Sequence, residues 1–301
     1  MNRIGAHEER IVSLERFGDV SDEINISVVI VTYNDNPELM RCVESLASQM
    51  ASDVEVIILD NGGSGKFREQ LKEYKVTYIR LNKNYAPSIG RNMGTYYARG
   101  NIICFMDDDA VADKRFIEAH RKAHESPQVL AVRGKILPIT DAVYNYLSGH
   151  YDLGEETREM TINMEANCSF KRHILEKVDG FNDDLFGHEG DELSYRIFRA
   201  SGDRKGMIYY PQAVIYHDYA NSLSKYIKKQ IRHLRAEETF DSMQDQGMKE
   251  FIKSYIPPQP MRIRRNLRFI QRAELFLIKL LKKSIRTYLI VTGYGKSKKY
   301  V

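Results

Sequence analysis

Apolar residues in this chain come in short runs, each closed by a polar cluster, and the runs alternate with stretches of helical spacing. ISVVIV over residues 26–31 predicts a buried, β-branched strand that ends in Thr32, Tyr33 and Asn34. A helix is predicted next, capped by Asn36 with Pro37 at its first position; Leu39, Cys42, Val43, Leu46 and Ala47 fall on one face. VEVIIL over 54–59 predicts a second strand, closing in Asp60, Asn61, Gly62 and Gly63, and VTYI over 76–79 a short third. Residues 84–99 read as a loop and a helix rich in small residues. NIICFM over 101–106 predicts a strand buried on both faces that runs into Asp107, Asp108 and Asp109. A later strand ends in His217 and Asp218, after AVIY at 213–216. Residues 1–24 are weakly patterned and predict an arm or a frayed helix. Strand and helix in alternation imply an α/β fold with parallel strands, crossover helices and ligands at the carboxyl ends of the strands.

Composition changes this picture little until charge is divided along the chain. With 301 residues, 43% hydrophobic and 29% charged, the protein reads as soluble and globular, with a core of ample size. Cys42, Cys104 and Cys168 are too few and too scattered for a disulfide framework or a zinc site, which points to a reducing compartment and small core residues. The first twenty residues carry charges throughout and no apolar core of a secretory signal, so a cytoplasmic protein is expected. The net charge of +4 conceals a polarity. Residues 1–220 hold 26 Lys and Arg against 35 Asp and Glu, a net −9, whereas residues 221–301 hold 19 against 6, a net +13. Two parts with different tasks follow from that division.

The chemistry gathers at the strand ends. Three adjacent carboxylates repel one another unless one is protonated or a cation neutralises them. A hard divalent ion, Mn²⁺ or Mg²⁺, shared with a substrate phosphate, is the simplest neutraliser. The alternative is a solvated acidic turn that caps the next helix, with Asp113 as a further cap. Thr32, Tyr33, Asp60, Asp107 and Asp108 share the strand-end location; Tyr33 suits stacking on a base, and Asp60 suits accepting a hydrogen bond from a ring N–H. Arg91, placed by the reading in the loop before the 84–99 helix, suits a phosphate.

The series SVVIVTYN, VIILDN, NYAPSIGRNMG and IICFMDDDAV resembles the N-terminal half of a GT-A glycosyltransferase, most closely the large inverting family 2. The resemblance spans roughly residues 26–218, and its four motifs occur in order at matching spacing. It implies that Asp60 and Tyr33 meet the base, Arg91 the phosphates, Asp107 the sugar or ribose, and Asp109 the metal. In the second half, GHEGDEL at 187–193 is similar to the acceptor-side GxEDxDL stretch, after NCSFKR at 167–172 and Gly180-Phe181. An inverting transfer needs a carboxylate to deprotonate the acceptor hydroxyl. The family's usual aspartate after the glutamate is Gly190 here, which leaves Glu189, then Asp191, as the expected base. Related GT-A families with a similar stretch retain configuration. His217 matches a metal-ligating position of many relatives, and His188 reads as acceptor-facing.

The remaining 81 residues are basic and read as helical. SLSKYIKKQIRHLRAEETF is amphipathic, YIPPQP breaks the helix, and Ile263, Leu267, Ile270, Leu277, Leu281 and Tyr288 then recur at helical spacing. The apolar runs fall short of the ~18 residues that a membrane span requires. Such a helix suits an anionic membrane surface, placing the protein peripherally on the inner face of the plasma membrane; packing against the catalytic domain is the alternative. Nucleic acid is not expected, since no binding motif accompanies the charge. The expected organisation is an arm at 1–24, a GT-A domain at 25–220 divided at 112, and a basic helical extension at 221–301. The expected activity is transfer from a nucleotide-sugar, UDP-sugar favoured, to a glycan or lipid-linked hydroxyl. Two competing readings are a non-catalytic membrane scaffold and a sugar-phosphate nucleotidyltransferase. The second wants a glycine-rich phosphate cradle after the first strand, and residues 32–37 hold no glycine.

Overall fold

The computed structural model describes residues 3–5, 7–18, 21, 23–163, 165–255 and 269–292. Its strands and helices run in chain order as β1 (Ile11–Arg16), β2 (Ile26–Thr32), α1 (Leu39–Ala47), β3 (Val54–Asp60), α2 (Arg68–Leu71), β4 (Val76–Leu81), α3 (Pro87–Tyr97), β5 (Ile102–Asp107), β6 (Val111–Ala112), α4 (Phe116–Ala123), β7 (Ala131–Leu137), β8 (Arg158–Glu159), β9 (Asn167–Lys171), α5 (Arg172–Lys177), α6 (Glu189–Ser201), β10 (Met207–Tyr216), α7 (Leu223–Met243), α8 (Gln246–Ser254) and α9 (Phe269–Thr292).

One mixed sheet organises them in the order β1-β4-β3-β2-β5-β9-β7-β10-β6, with β8 also on β10. Strands β4, β3, β2 and β5 are parallel, as the alternating pattern requires, and β9 inserts antiparallel between β5 and β7. The register aligns the chemistry: Thr32 pairs with Asp60 on one side, and Val31 with Asp107 on the other. The carboxyl ends of three neighbouring strands therefore meet along one edge of the sheet. Strand β10 loses its register against β7 between Tyr209 and Val214, around Pro211, which has no N–H to give the ladder.

Both faces of the sheet are covered. Side chains of alternate parity on β2 turn Val28 and Ile30 toward α1 and α4 and Val29 toward α3, and each set lies in a separate apolar cluster. Helix α3 comes close because its glycines let it. A Cβ on Gly94 would stand 2.3 Å from Val29 Cγ1, and one on Gly90 2.8 Å from Val31 Cγ1. Away from the strand ends, Glu55 is buried and accepts from Ser27 Oγ at 2.6 Å and from Arg99 Nε at 3.1 Å.

Several expectations change. Residues 11–16 form a strand, not a frayed helix: β1 pairs antiparallel with β4, and its exposed and half-buried residues alternate as on an edge strand. Glu15 on β1 is held by Arg68. Helix α1 begins at Leu39 rather than Pro37, because the Asn36 carbonyl and side chain take the Leu39 and Glu38 N–H groups in a turn. Arg91 lies inside α3, not in the loop before it. Helices α7 and α8, drawn from the basic extension, supply Phe240, Met248 and Phe251, and Tyr255 just after α8 joins them, in the same apolar cluster as Val29. On α9, Ile278 packs inward beside Val143 and Tyr226, with Leu275 partly buried against the same cluster, whereas Leu277 points outward. Ile263 and Leu267 lie outside the described residues, as do the side chains of Ile270 and Tyr288.

Candidate functional site

The strand-end site is assembled by hydrogen bonds within the sheet edge. Thr32 Oγ1, at the tip of β2, donates to Asp108 Oδ2 at 2.6 Å. Asp60, 5% exposed at the tip of β3, accepts from Tyr78 Oη at 2.6 Å and from the Gly63 N–H at 2.8 Å. Each of its oxygens keeps a lone pair for a further donor. Asn34 and Asp35 both take left-handed backbone conformations after β2, which short polar side chains tolerate, and Asp35 Oδ1 receives the Ser64 N–H at 2.9 Å. Tyr33 is 53% exposed beside this framework, a free aromatic face at the rim. Asn61 bonds to Tyr85 through both ends of its amide and fixes the start of the α3 segment.

The aspartate cluster divides its labour. Asp108 turns to Thr32, and burial, with the charges of Asp109 and Asp107, pushes it up to about 6. Asp109 Oδ1 lies 3.0 Å from His217 Nε2. Burial works to raise the Asp109 carboxyl, and the His217 contact outweighs it and holds the group below the usual carboxylate range. Burial likewise opposes charge on His217, and Asp109 still raises it above the ordinary imidazole value. His217 and Asp109 are thus held together by this 3.0 Å contact. Asp107, Asp109 and His217 offer three ligand atoms within 4.8 Å of one another. Two carboxylates and one imidazole form a donor set that suits Mn²⁺ and, less fully, Mg²⁺. His217 Nδ1 is buried with no hydrogen-bond partner among the described residues. The resemblance gives Asp107 to the sugar or ribose; here it sits with the metal-capable pair.

Arg41 Nη2 donates to the Asp109 carbonyl at 3.5 Å, and two further cations face the carboxylates. Arg91 Nη2 lies 3.9 Å from Asp107 Oδ1, with its guanidinium over the Phe181 ring. Burial opposes its charge, yet Glu165, Glu189 and Asp107 together raise it. Lys229, on α7, was not singled out by the sequence. Its ammonium sits 4.0 Å above the Tyr219 ring, donates to Tyr151 Oη at 3.2 Å, and lies within electrostatic reach of Asp107 and Asp109. Burial pushes it down to about 8.

Across Arg91 lies a second acidic group at the start of α6, where carboxylates suit the helix dipole. Glu189 is buried in its first turn. Asp191 is tied to His188 Nδ1 at 3.4 Å and receives Thr161 Oγ1 at 3.3 Å. His188, half-buried, stacks on Phe240 of α7. Glu165, from the loop before β9, was also missed by the sequence reading. Its Oε1 accepts the Gly190 N–H at 2.6 Å, and burial with the Glu189 charge pushes it up to about 7. The glycine at position 190 was the sequence signal that could have prompted a search for it.

The profile of the family described as glycosyl transferase family 2 matches residues 27–180. The chain belongs to glycosyl transferase family 2. Relatives in this family include an uncharacterized glycosyltransferase, YfnE, of Bacillus subtilis, 28% identical over 158 residues that cover 51% of this chain and 40% of that one. A glucosyl-dolichyl phosphate glucuronosyltransferase of Haloferax volcanii is 26% identical over 219 residues, 64% of this chain and 69% of that one. Among solved structures, TarS of S. aureus superposes with a TM-score of 0.53 at 15% identity, over 76% of this chain and 42% of that one. The mannosyltransferase PcManGT of Pyrobaculum calidifontis, in complex with GDP-Man and Mn²⁺, superposes with a TM-score of 0.56 at 18% identity, over 94% and 79%. The chain thus spans less than half the length of YfnE and of TarS. The expected GT-A fold is the fold observed. Among the described residues, no helix is long and apolar enough to cross a membrane.

Proposed function

We propose that this family 2 chain moves a sugar from a nucleotide-sugar donor to an acceptor hydroxyl in a divalent-metal-dependent reaction. The observation that carries the reading is the convergence of Asp107, Asp109 and His217 at the tips of β5 and β10, beside Arg91. The metal is Mn²⁺ or Mg²⁺ on those three side chains; when bound, it neutralises charge on the leaving diphosphate. Tyr33 stacks on the base and Asp60 accepts its ring N–H. Thr32 and Asp108, locked together, shape the floor under the ribose. Arg91 and Lys229 supply fixed positive charge to the diphosphate end. The carboxylates gathered at the start of α6, Glu189 and Asp191 with Glu165, furnish the base that takes the acceptor proton, as a single inverting displacement requires.

A lipid-linked or glycan acceptor fits two observations. The Haloferax relative is named for action on glucosyl-dolichyl phosphate. Helix α9 exposes Phe276, Leu277 and Leu280 among Lys279, Lys282 and Lys283, an apolar patch rimmed by cations that suits an anionic bilayer. The donor nucleotide is uridine or guanosine diphosphate, with the UDP-sugar favoured.

The test is turnover. The full chain is incubated with UDP-glucose, UDP-N-acetylglucosamine and GDP-mannose in turn, with Mn²⁺, Mg²⁺ or chelator, and released nucleoside diphosphate is measured. One donor is expected to be consumed only with metal, and Asp109→Ala is expected to lose at least about a hundredfold in rate. Release that ignores both chelator and the substitution would sink the reading.

A further inference from the structure

Position 190 is a glycine where the family resemblance places a catalytic aspartate, and the space around it shows what replaces that side chain. A Cβ on Gly190 would stand 1.9 Å from the Ile162 carbonyl oxygen and 2.6 Å from Glu165 Oε1. The Ile162 carbonyl and the Glu165 carboxylate together occupy that space, and the carboxylate is anchored there by the Gly190 N–H at 2.6 Å. A carboxylate has thus been moved from the helix to the facing loop without leaving the locality. We propose that Glu165 is the general base of the transfer, reaching in from the loop before β9 to stand in for the side chain absent at residue 190. The assignment rests on the glycosyltransferase reading above and selects one of its three carboxylates.

The surroundings fit the task. Glu165 and Glu189 are like charges in one part-buried group, and such a pair holds its last proton tightly. Burial and the Glu189 charge bring the Glu165 carboxyl to about 7, with Arg91 and the Gly190 N–H pulling the other way. A carboxylate raised in this way is a stronger base than an ordinary one and suits accepting a hydroxyl proton in the transition state. The groups that face it are Arg91 from α3, Glu189 and the preceding His188 at α6, Arg133 from β7 and Cys168 from β9. Arg91 couples to Glu165, Glu189 and Asp107 alike, so one guanidinium links the base to the donor end. Glu189 then acts as a positioning residue. In the step itself the acceptor O–H bond breaks and its proton passes to Glu165 Oε. The acceptor oxygen bonds to the anomeric carbon, whose bond to the phosphate oxygen breaks, and the nucleoside diphosphate leaves with that electron pair.

The experiment compares wild type, Glu165→Gln, Glu165→Asp and Glu189→Gln, all as the full chain with Mn²⁺. Two quantities are read: nucleoside diphosphate affinity by calorimetry, and the pH profile of diphosphate release from the donor the wild type consumes, with water as acceptor. Glutamine keeps an oxygen for the Gly190 N–H, so the loop holds. The proposal expects the wild-type rate to fall below an apparent pKa of about 7, as Glu165 takes up a proton. Glu165→Gln should lose roughly 10²–10⁴-fold in rate and that acidic limb, with nucleotide affinity unchanged. Glu165→Asp should recover part of the rate, and Glu189→Gln should keep the limb. A Glu165→Gln variant with unchanged rate and limb overturns the assignment, as does a limb that disappears in Glu189→Gln instead. A wild type that neither binds a nucleoside diphosphate nor releases one refutes the glycosyltransferase reading itself, a different outcome from loss of the base alone.

Discussion

Gly94 matters to the site although it touches no part of it. Its missing Cβ lets α3 lie against Val29, and the same closeness at Gly90 against Val31 sets Arg91, on the intervening turn, over the end of β5. Val29 is β-branched and buried in a central strand, so it has no alternative rotamer at low cost. Gly94→Ala should therefore destabilise the chain by about 1–3 kcal/mol through overpacking, measured as a lower denaturant midpoint at unchanged slope. A variant as stable as wild type would show that α3 is less closely packed than described. At this scale much was legible in the sequence. The abundance of small residues over 84–99 was visible, though not the close approach it permits, and Thr32, Tyr33, Asp60 and the aspartate cluster all stand at strand ends as the pattern required. Glu165 was not legible, because nothing local distinguishes it. It lies outside any strand or helix, and its value depends on Gly190, twenty-five positions away in the chain. Lys229 was hidden in the same way, as one cation among many in a basic helix.

Among the elements, the long buried strands were readable and the marginal ones were not. A central parallel strand is apolar on both faces, and β2, β3 and β5 declare themselves as continuous runs. Strand β1 instead lies at the sheet edge, where polar and charged residues are tolerated, and the six residues IVSLER carry too weak an alternation to compete with their charged neighbours. Asn36 does take the Glu38 and Leu39 N–H groups, but in a turn, and regular helix starts at Leu39 rather than at Pro37. Helix α9 yields the prediction at this scale. Phe276 and Leu277, at 64% and 63% exposed, and Leu280 at 48% share one side of the helix. Replacing all three by serine should release the chain from vesicles containing anionic lipid, read by co-sedimentation, and leave donor turnover by the soluble protein unchanged. Equal pelleting of wild type and variant would remove the membrane role of α9.

At the scale of the whole molecule, the sheet is the device that brings distant residues together. Asp109 and His217 are more than a hundred positions apart and lie 3.0 Å from each other, because β6, just after Asp109, pairs with β10, just before His217. Arg91 enters from the opposite face of the sheet, and α7 lays Lys229 along the rim. A sequence pattern can give the order of the strands that carry these groups, but it cannot give their final adjacency, since β9 and β10 join the sheet out of chain order. The division of charge also acquires a physical sense. The acidic part holds the Asp107–Asp109 cluster, α7 of the basic part brings Lys229 beside it, and α9 exposes its apolar patch. The central claim is that a divalent cation on Asp107, Asp109 and His217 is what binds the donor's diphosphate. Calorimetric titration of UDP and GDP into the full chain, with Mn²⁺ and with chelator, repeated on Asp109→Ala, tests it most directly. The account predicts binding of one diphosphate that weakens at least about tenfold with chelator, equivalent to ~1.4 kcal/mol, and equally in the variant. Nucleotide binding of the same strength in all three conditions would contradict it.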